Sequence, residues 1–141
     1  MRVYLDASIL VSLFTDDALT HRAETFFEIR TPMALVVSDF ASAEFVSAIA
    51  RRVRTRDLDE VKARTAFGTF DEWSRTSAER IETTTGDVAV ADGFLRRLDL
   101  TLRTPDAVNI ALCRRASAAL LTFDDRMAAC AIRLGIDVAP S

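Results

Sequence analysis

The stretch VYLDASILVSLF, residues 3–14, carries one charged side chain, Asp6, among apolar and hydroxyl-bearing residues. Arg2–Leu5 has the composition of a short buried strand, and Ser8–Phe14 predicts a helix directly after it. Asp6 therefore lies where the strand ends. An ionised carboxylate in apolar surroundings is costly unless another group compensates its charge. The fold must therefore bring a partner to Asp6.

The rest of the chain continues this alternation of short strands and helices. Ser38 and Thr104 are good helix N-caps, and Gly135 is a typical C-terminal cap. Strands are predicted over Ala34–Val37, Ala119–Leu121 and Ile136–Val138, and helices over Ala18–Ile29, Ser38–Val53, Asp57–Ser74, Gly86–Leu98, Thr104–Ser117 and Asp125–Leu134. Such an alternation is typical of an α/β fold in which helices cover both faces of a parallel sheet.

Length and composition limit the class of protein. A chain of 141 residues, half of them hydrophobic, predicts a single folded domain spanning residues 1–141. The net charge of −3 argues against a strongly cationic nucleic-acid-binding surface. Cys113 and Cys130 have no metal-ligand spacing, and we expect buried thiols in a reducing compartment. No signal peptide or bilayer-spanning run is recognised, so we expect a cytoplasmic protein with no membrane contact.

Four acidic residues fall at related places in the predicted elements. Asp6 and Asp124 follow strands, Asp106 lies in the first turn of a helix, and Glu44 lies near the start of the helix after Ala34–Val37. The carboxyl ends of parallel strands meet at one edge of a sheet, where binding sites form. Crowded carboxylates repel one another, and no Lys or Arg directly flanks Asp6, Asp106 or Glu44 in the sequence. The pattern therefore predicts a hard divalent cation, Mg²⁺ or Mn²⁺.

Each acid also has a purely structural interpretation. Asp6 is alternatively a buried acid bonded to backbone N–H groups, and Asp106 a complement to a helix dipole. Asp124 is alternatively the N-cap of the last helix, and Glu44 a solvated helical glutamate. Taken singly, none of these residues is specific for a metal site. The prediction depends on their convergence.

Other chemistries fit the sequence less well. The only histidine, His21, lies in a helix far from the other candidates, and we expect it at the surface. A pair of catalytic histidines and a Cys/His zinc site are therefore excluded. The chain has no glycine-rich phosphate loop and no G-x-S-x-G elbow. A phosphatase that uses two aspartates after its first strand is excluded because Ser8 occupies the second position.

These residues together resemble a known family. YLDASILV, SDFASAEF, LRTPDAVNIALC and LLTFDDRMAACAIRLGIDV occur in the order found in PIN-domain ribonucleases, specifically the VapC-type toxins of VapBC toxin–antitoxin pairs. The resemblance covers nearly the whole chain and implies a three-layer α/β/α fold with a short-stranded parallel sheet. It assigns the site to Asp6, Glu44, Asp106 and Asp124 as metal ligands, with Ser8 beside them. It leaves open whether Asp125 replaces Asp124 and whether Asn109 joins the site.

The resemblance also implies a function. It predicts a Mg²⁺- or Mn²⁺-dependent endoribonuclease with an RNA substrate and a cognate antitoxin as partner. Arginines must then hold the flanking phosphates, and Arg51, Arg52 and Arg114 are the candidates. A homodimer is expected, with Phe67, Phe70 and Trp73 either as its apolar surface or as part of the core.

Two other functions remain open at this point. One is a PIN-like module that binds RNA or a protein without cutting. An intact set of acids argues against it. The other is a related metal-dependent DNA nuclease. Nucleases of that kind are generally larger, with inserted helices for which this chain has little room.

Overall fold

The fold alternates short strands with helices, as the sequence predicts. The computed structural model describes residues 1–29 and 32–141. In that part of the chain the elements are β1 (Arg2–Leu5), α1 (Ala7–Phe14), α2 (Thr20–Ile29), β2 (Ala34–Ser38), α3 (Asp39–Arg54), α4 (Glu60–Ser77), β3 (Glu79–Ile81), α5 (Thr85–Leu95), α6 (Thr104–Arg115), β4 (Ala119–Leu121) and α7 (Asp125–Arg133). None of these helices is long and apolar enough to cross a bilayer.

The four strands form one parallel sheet in the order β3-β2-β1-β4. β1 is central, and Tyr4 pairs with Val36 of β2 on one side and with Leu120 of β4 on the other. Because all strands run in the same direction, their carboxyl ends lie along one edge. This edge carries Asp6 after β1 and Thr122 after β4. The predicted parallel sheet is confirmed.

Helices cover both faces of the sheet, and the strand residues alternate between the two cores. Val3 and Leu5 pack in the core formed with α1, α2, α3 and α4. Tyr4 packs in the opposite core, formed with α5, α6 and α7. This period of two is the normal geometry of a strand that is buried on both faces. The protein is thus a three-layer α/β/α sandwich.

Strand prediction was wrong at two places. β3 was not predicted, because Glu79-Arg80-Ile81 is short and mostly exposed and pairs only with β2, at the edge of the sheet. The predicted strand Ile136–Val138 is reduced to one bridge between Val138 and Leu120. Around that bridge, Leu120 N donates to Asp137 O and Ala139 N donates to Leu120 O.

Helix ends depart from the prediction by a few residues. Thr104 is the first residue of α6 and not its N-cap, which is Arg103. The orphan N–H of Arg103 donates to the Asp106 carboxylate (3.0 Å), so the acid of the first turn supplies the capping bond. Gly135 follows α7 at φ +78°, a left-handed conformation that favours glycine, as its predicted capping role requires. Cys113 and Cys130 are buried free thiols, and His21 is exposed, as predicted.

The aromatic residues of α4 belong to the core. Phe70 is 1% exposed and packs against Phe14 and Phe45, with ring centroids 5.5 and 4.7 Å away. Phe67 and Trp73 are half-buried against the same core. The core interpretation is therefore confirmed for Phe70. Phe67 and Trp73 pack against the core but keep part of their surface exposed, so the apolar dimer surface stays a prediction for these two residues.

We predict that Phe70→Ala destabilises the fold strongly. Removing a ring at the centre of this aromatic cluster loses its packing and leaves a cavity, at a cost of about 3–5 kcal/mol in the free energy of unfolding. Val61→Ala on the same helix is the control, because Val61 is 77% exposed and its truncation should cost less than about 0.5 kcal/mol. Urea unfolding of both variants measures the difference. Equal losses would contradict the assignment of Phe70 to the core.

Candidate functional site

The carboxylate of Asp6 is buried and fully hydrogen-bonded at the end of β1. It is 7% exposed. Its Oδ1 accepts from Ala7 N (2.8 Å), and its Oδ2 accepts from Ser8 Oγ (2.8 Å) and Thr122 Oγ1 (2.7 Å). Burial raises the pKa of Asp6 above its ordinary value, although the bonds from Thr122 and Ser8 favour the charged form. Asp6 is thus both the N-cap of α1 and a desolvated acid.

Glu44 faces Asp6 and Asp106 from the second turn of α3. Burial raises the pKa of Glu44 to about 7, and repulsion from Asp6 and Asp106 acts in the same direction. A hydrogen bond from Asn109 Nδ2 to Glu44 Oε1 partly offsets this by favouring the ionised form. Glu44 is therefore no solvated helical glutamate. It forms an electrostatically coupled group with Asp6 and Asp106.

Asn109 orients Glu44 and is itself held by a buried network. Its Oδ1 accepts from the Tyr4 hydroxyl (2.6 Å), and its Nδ2 also donates to Pro105 O (2.9 Å). Tyr4 is bonded in turn to Ser38 Oγ (2.6 Å), whose oxygen accepts from Ala41 N at the start of α3. The structure therefore answers one open question, because Asn109 contacts a predicted site acid. Tyr4 and Ser38 were missed as supporting residues, since their sequence positions indicate only core and cap.

Asp106 is nearly buried in the first turn of α6 and has a cation beside it. Its Oδ2 lies 3.6 Å from Arg126 Nη2, and Arg126 belongs to the first turn of α7. The sequence motifs suggested that no cation accompanies the acids. That expectation was wrong, because tertiary folding brings α7 next to α6. The guanidinium is 44% exposed, so solvent screens the pair.

Asp124 is connected to Asp6 through Thr122. Thr122 Oγ1 donates to Asp6 and accepts from Asp124 N (3.0 Å). Asp124 Oδ1 caps α7 by accepting from Met127 N (3.0 Å), so its structural interpretation is correct at least in part. Ser8 Oγ accepts from Phe123 N (3.0 Å), which joins the same loop to Asp6. Asp125 is exposed in the first turn of α7. Thr122 was not predicted from the sequence, although it lies two residues before Asp124 in the stretch LLTFDDRMAACAIRLGIDV.

The donor set suits a hard cation. Asp6, Glu44 and Asp106 carry carboxylate oxygens on three separate elements, and a divalent ion would relieve the charge repulsion that Glu44 experiences from the other two. In residues 1–29 and 32–141, no group of three or more carboxylate, histidine or cysteine side chains is arranged so that it could by itself hold a metal ion. Mg²⁺ commonly keeps several waters and uses only one or two carboxylates. The residues therefore fit a partly hydrated ion at an open site.

We predict that stability in chelator depends on pH through Glu44. The folded-state pKa near 7 exceeds the ordinary 4.5, so the folded protein binds this proton more tightly than the unfolded chain. The resulting stabilisation is complete below about pH 4.5 and is lost as the pH rises through about 7. Glu44→Gln should show a smaller fall in the free energy of unfolding across that window. Parallel pH profiles for the two proteins would contradict the shift.

We also predict that Thr122→Val destabilises the protein by about 1–3 kcal/mol, because a buried carboxylate loses a donor and Asp124 N loses an acceptor. Thr122→Ser keeps the hydroxyl and is the matched control. Urea unfolding should place the serine variant close to wild type. If both variants lose the same stability, the methyl group and not the hydrogen bonds accounts for the role of Thr122.

Both the sequence and the fold of this chain are similar to those of known proteins. The family model for the PIN domain matches residues 3–133. VapC20 of Mycobacterium tuberculosis, described as a sarcin–ricin loop cleaving toxin, aligns with a TM-score of 0.73 at 20% identity, covering 90% of this chain and 93% of that one. VapBC2 of Rickettsia felis bound to promoter DNA aligns at 0.68 and 13% identity, covering 99% and 98% of the two chains.

VapBC-1 of nontypeable Haemophilus influenzae also aligns at 0.68 and 13% identity, covering 99% of this chain and 97% of that one. No curated protein sequence matches the chain significantly. At such identities the likeness to solved structures concerns the fold alone, whereas the family model spans most of the sequence. The chain therefore belongs to the PIN domain family, a family of nucleases, and its fold is that of the VapC-type members.

Proposed function

We propose that this protein is a Mg²⁺- or Mn²⁺-dependent endoribonuclease, the toxin of a type II toxin–antitoxin pair, with one nuclease domain spanning residues 1–141. One observation carries the proposal. In a PIN-domain chain, three acids from separate elements, Asp6, Glu44 and Asp106, are coupled at the carboxyl edge of the sheet, and the pKa of Glu44 is about 7. Crowded carboxylates destabilise the folded protein, but the same negative charge strengthens the binding of a divalent cation in a nuclease.

The proposed metal ligands are Asp6, Asp106, Glu44 and Asp124, directly or through water. When bound, the ion supplies Lewis acidity, which lowers the pKa of water and offsets charge on the scissile phosphate. Because Glu44 retains a proton up to about pH 7, metal binding should release protons and strengthen as the pH rises through that value. Asp124 is proposed over Asp125 because it shares Thr122 with Asp6.

The chain's own residues hold the acids in position. Ser8 and Thr122 fix Asp6 Oδ2 from two sides, so this carboxylate keeps one orientation. Asn109 holds Glu44 and is locked by Tyr4, so the α3 acid and the α6 acid keep a constant spacing. Arg126 partly neutralises Asp106 while no metal is bound. This rigid support agrees with a site that must place a water in line with a phosphodiester.

Partners follow from the same proposal. RNA is the proposed substrate, and VapC20, which has this fold, is described as a toxin that cleaves the sarcin–ricin loop. The Rickettsia and Haemophilus structures are VapBC assemblies, which supports an antitoxin partner for this chain.

A homodimer is also proposed. Its interface excludes Phe70, which is buried, whereas Phe67 and Trp73 keep part of their surface exposed on α4. We place the protein in the cytoplasm.

We predict that Asp6→Asn abolishes cleavage. Asparagine keeps the size of the side chain but removes the charge that favours a divalent ion. The loss should exceed the roughly 10–100-fold typical of residues that only support a ligand. Cleavage of single-stranded or looped RNA is measured with Mg²⁺ or Mn²⁺ and in chelator, and calorimetry measures Mn²⁺ binding. Growth arrest on expression without an antitoxin should disappear with this variant at equal protein level.

Asp71→Asn is the matched control, because Asp71 is exposed on α4. It should cut RNA like wild type. Circular dichroism of all three proteins must show the same fold. Cleavage that persists in chelator, or an Asp6→Asn protein as active as wild type, would overturn the proposal. Metal binding and RNA binding without cleavage by wild type would favour the non-catalytic module, and preferential cleavage of DNA would favour the DNA nuclease.

A further inference from the structure

A groove extends from the candidate site along α3. Its volume is about 700 Å³, and it begins at Glu44. Ser47, Ala48, Arg51 and Arg54 line it from the helix, and Pro105 lines it from the start of α6. The lining includes no large apolar side chain. Arg52, Thr55 and Asp57 complete the lining. The groove is thus continuous with the acidic site, but beyond Glu44 it holds three arginines and one carboxylate, that of Asp57.

The spacing along α3 explains the direction of the groove. Glu44, Ala48 and Arg51 are separated by four and three residues, so they lie on one face of the helix. With a rise of about 1.5 Å per residue, Arg51 lies roughly 10 Å along the helix axis from Glu44. A single-stranded chain with a phosphate near Glu44 therefore meets the arginines a short distance from the cut.

The arginines near this groove have different roles. Arg52 Nη1 donates to Thr15 Oγ1 (2.9 Å) and so connects the end of α3 to the end of α1. Arg51 and Arg54 are exposed, and their guanidiniums form no hydrogen bond or ion pair with the part of the chain that the structure describes. Surface arginines elsewhere, such as Arg64 and Arg75, are paired with a glutamate of the same helix.

Helix-dipole compensation does not fully account for Arg51 and Arg54. Basic residues in the last turn of α3 favour the helix. That role needs only the charge near the helix end. It leaves unexplained why two guanidiniums border a groove that leads to the acids. A planar guanidinium binds phosphate oxygens well, and an acidic site needs nearby cations to attract a polyanion.

We propose that the α3 groove holds the RNA backbone on one side of the scissile bond, with Arg51 and Arg54 contacting phosphates. This inference rests on the proposed function, because it takes Glu44 as part of the cutting site. RNA is favoured over a protein segment because interfaces with proteins are usually anchored by large apolar or aromatic side chains in pockets. Besides the carboxylates of Glu44 and Asp57, the groove offers guanidiniums, hydroxyls and small residues.

Arg114 supplies the control. It is exposed and likewise makes no hydrogen bond or ion pair with the described residues, but it lies in a different cavity, with Arg2 and Ala119. Those residues begin β1 and β4, so Arg114 lies at the amino edge of the sheet, opposite the acids. The sequence-based assignment of Arg114 to the RNA site is therefore not supported. Arg114→Gln removes the same charge as Arg51→Gln at a remote place.

The test measures RNA binding without cleavage. Each arginine variant is made in the Asp6→Asn protein, and binding of a short fluorescein-labelled single-stranded RNA is measured by anisotropy in Mg²⁺ over a series of salt concentrations. Removing one phosphate contact should reduce the slope of log K against log salt by about 0.7, and the Arg51→Gln/Arg54→Gln double variant by about 1.4. Arg51→Lys should keep most of the slope, and Arg114→Gln should leave it unchanged.

The outcomes separate this proposal from the proposed function. In one outcome, Arg51→Gln and Arg54→Gln give the same salt slope as Arg114→Gln while wild type still cleaves RNA. That result would overturn the proposed role of the groove in RNA binding and leave the proposed nuclease activity standing. Reduced slopes with no cleavage by wild type would support the groove and reject the nuclease. Unchanged RNA binding with weaker binding of polyglutamate would assign the groove to an acidic protein segment and overturn the proposal. Circular dichroism verifies that each variant is folded.

Discussion

The burial of one carboxylate, that of Asp6, is the constraint on which the site depends. This acid follows the central strand and needs donors, which come both from its neighbours in sequence and from a distant part of the chain. Ala7 and Ser8 provide them locally, and Thr122 provides one from the end of β4. The backbone N–H of Asp6 also donates to Leu121 O. The pairing of β1 with β4 brings Thr122 to the Asp6 carboxylate, and this hydrogen bond in turn supports the pairing. The sheet edge and the candidate site therefore form together.

The same edge concentrates negative charge, and the protein compensates it only in part. Burial and repulsion raise the pKa of Glu44, whereas the neutral amide of Asn109 favours its ionised form. Arg126 is near Asp106 at a distance longer than a direct hydrogen bond. Residues that bear such unfavourable interactions commonly lie at functional sites, where a ligand relieves the cost. A proton on Glu44 relieves the repulsion below neutral pH, and the divalent ion that we propose would relieve it in the same way.

The net charge of −3 hides a local separation of charge. Many arginines form ion pairs on the surface, and these contribute little to stability or binding. Arg51 and Arg54 are different, because within residues 1–29 and 32–141 their guanidiniums have no ion-pair partner and lie beside a groove that begins at an acid. An acidic centre next to a cationic groove is an arrangement suited to a polyanion that must be both attracted and hydrolysed. The proposed cleavage of RNA needs both the acidic centre and the arginines beside it.

Local signals in the sequence determined much of this protein. β1, β4, the acid-bearing helices and the position of Asp6 after β1 follow from hydrophobic period and capping residues, which act between near neighbours. Only the tertiary structure decided that Arg126 approaches Asp106, that Asn109 holds Glu44 and that Arg114 lies opposite the acids. It also decided that Phe70 is core and that Glu79–Ile81 is a strand. These outcomes depend on which helix packs beside which, and residues distant in sequence meet only when the sheet and both of its cores have formed.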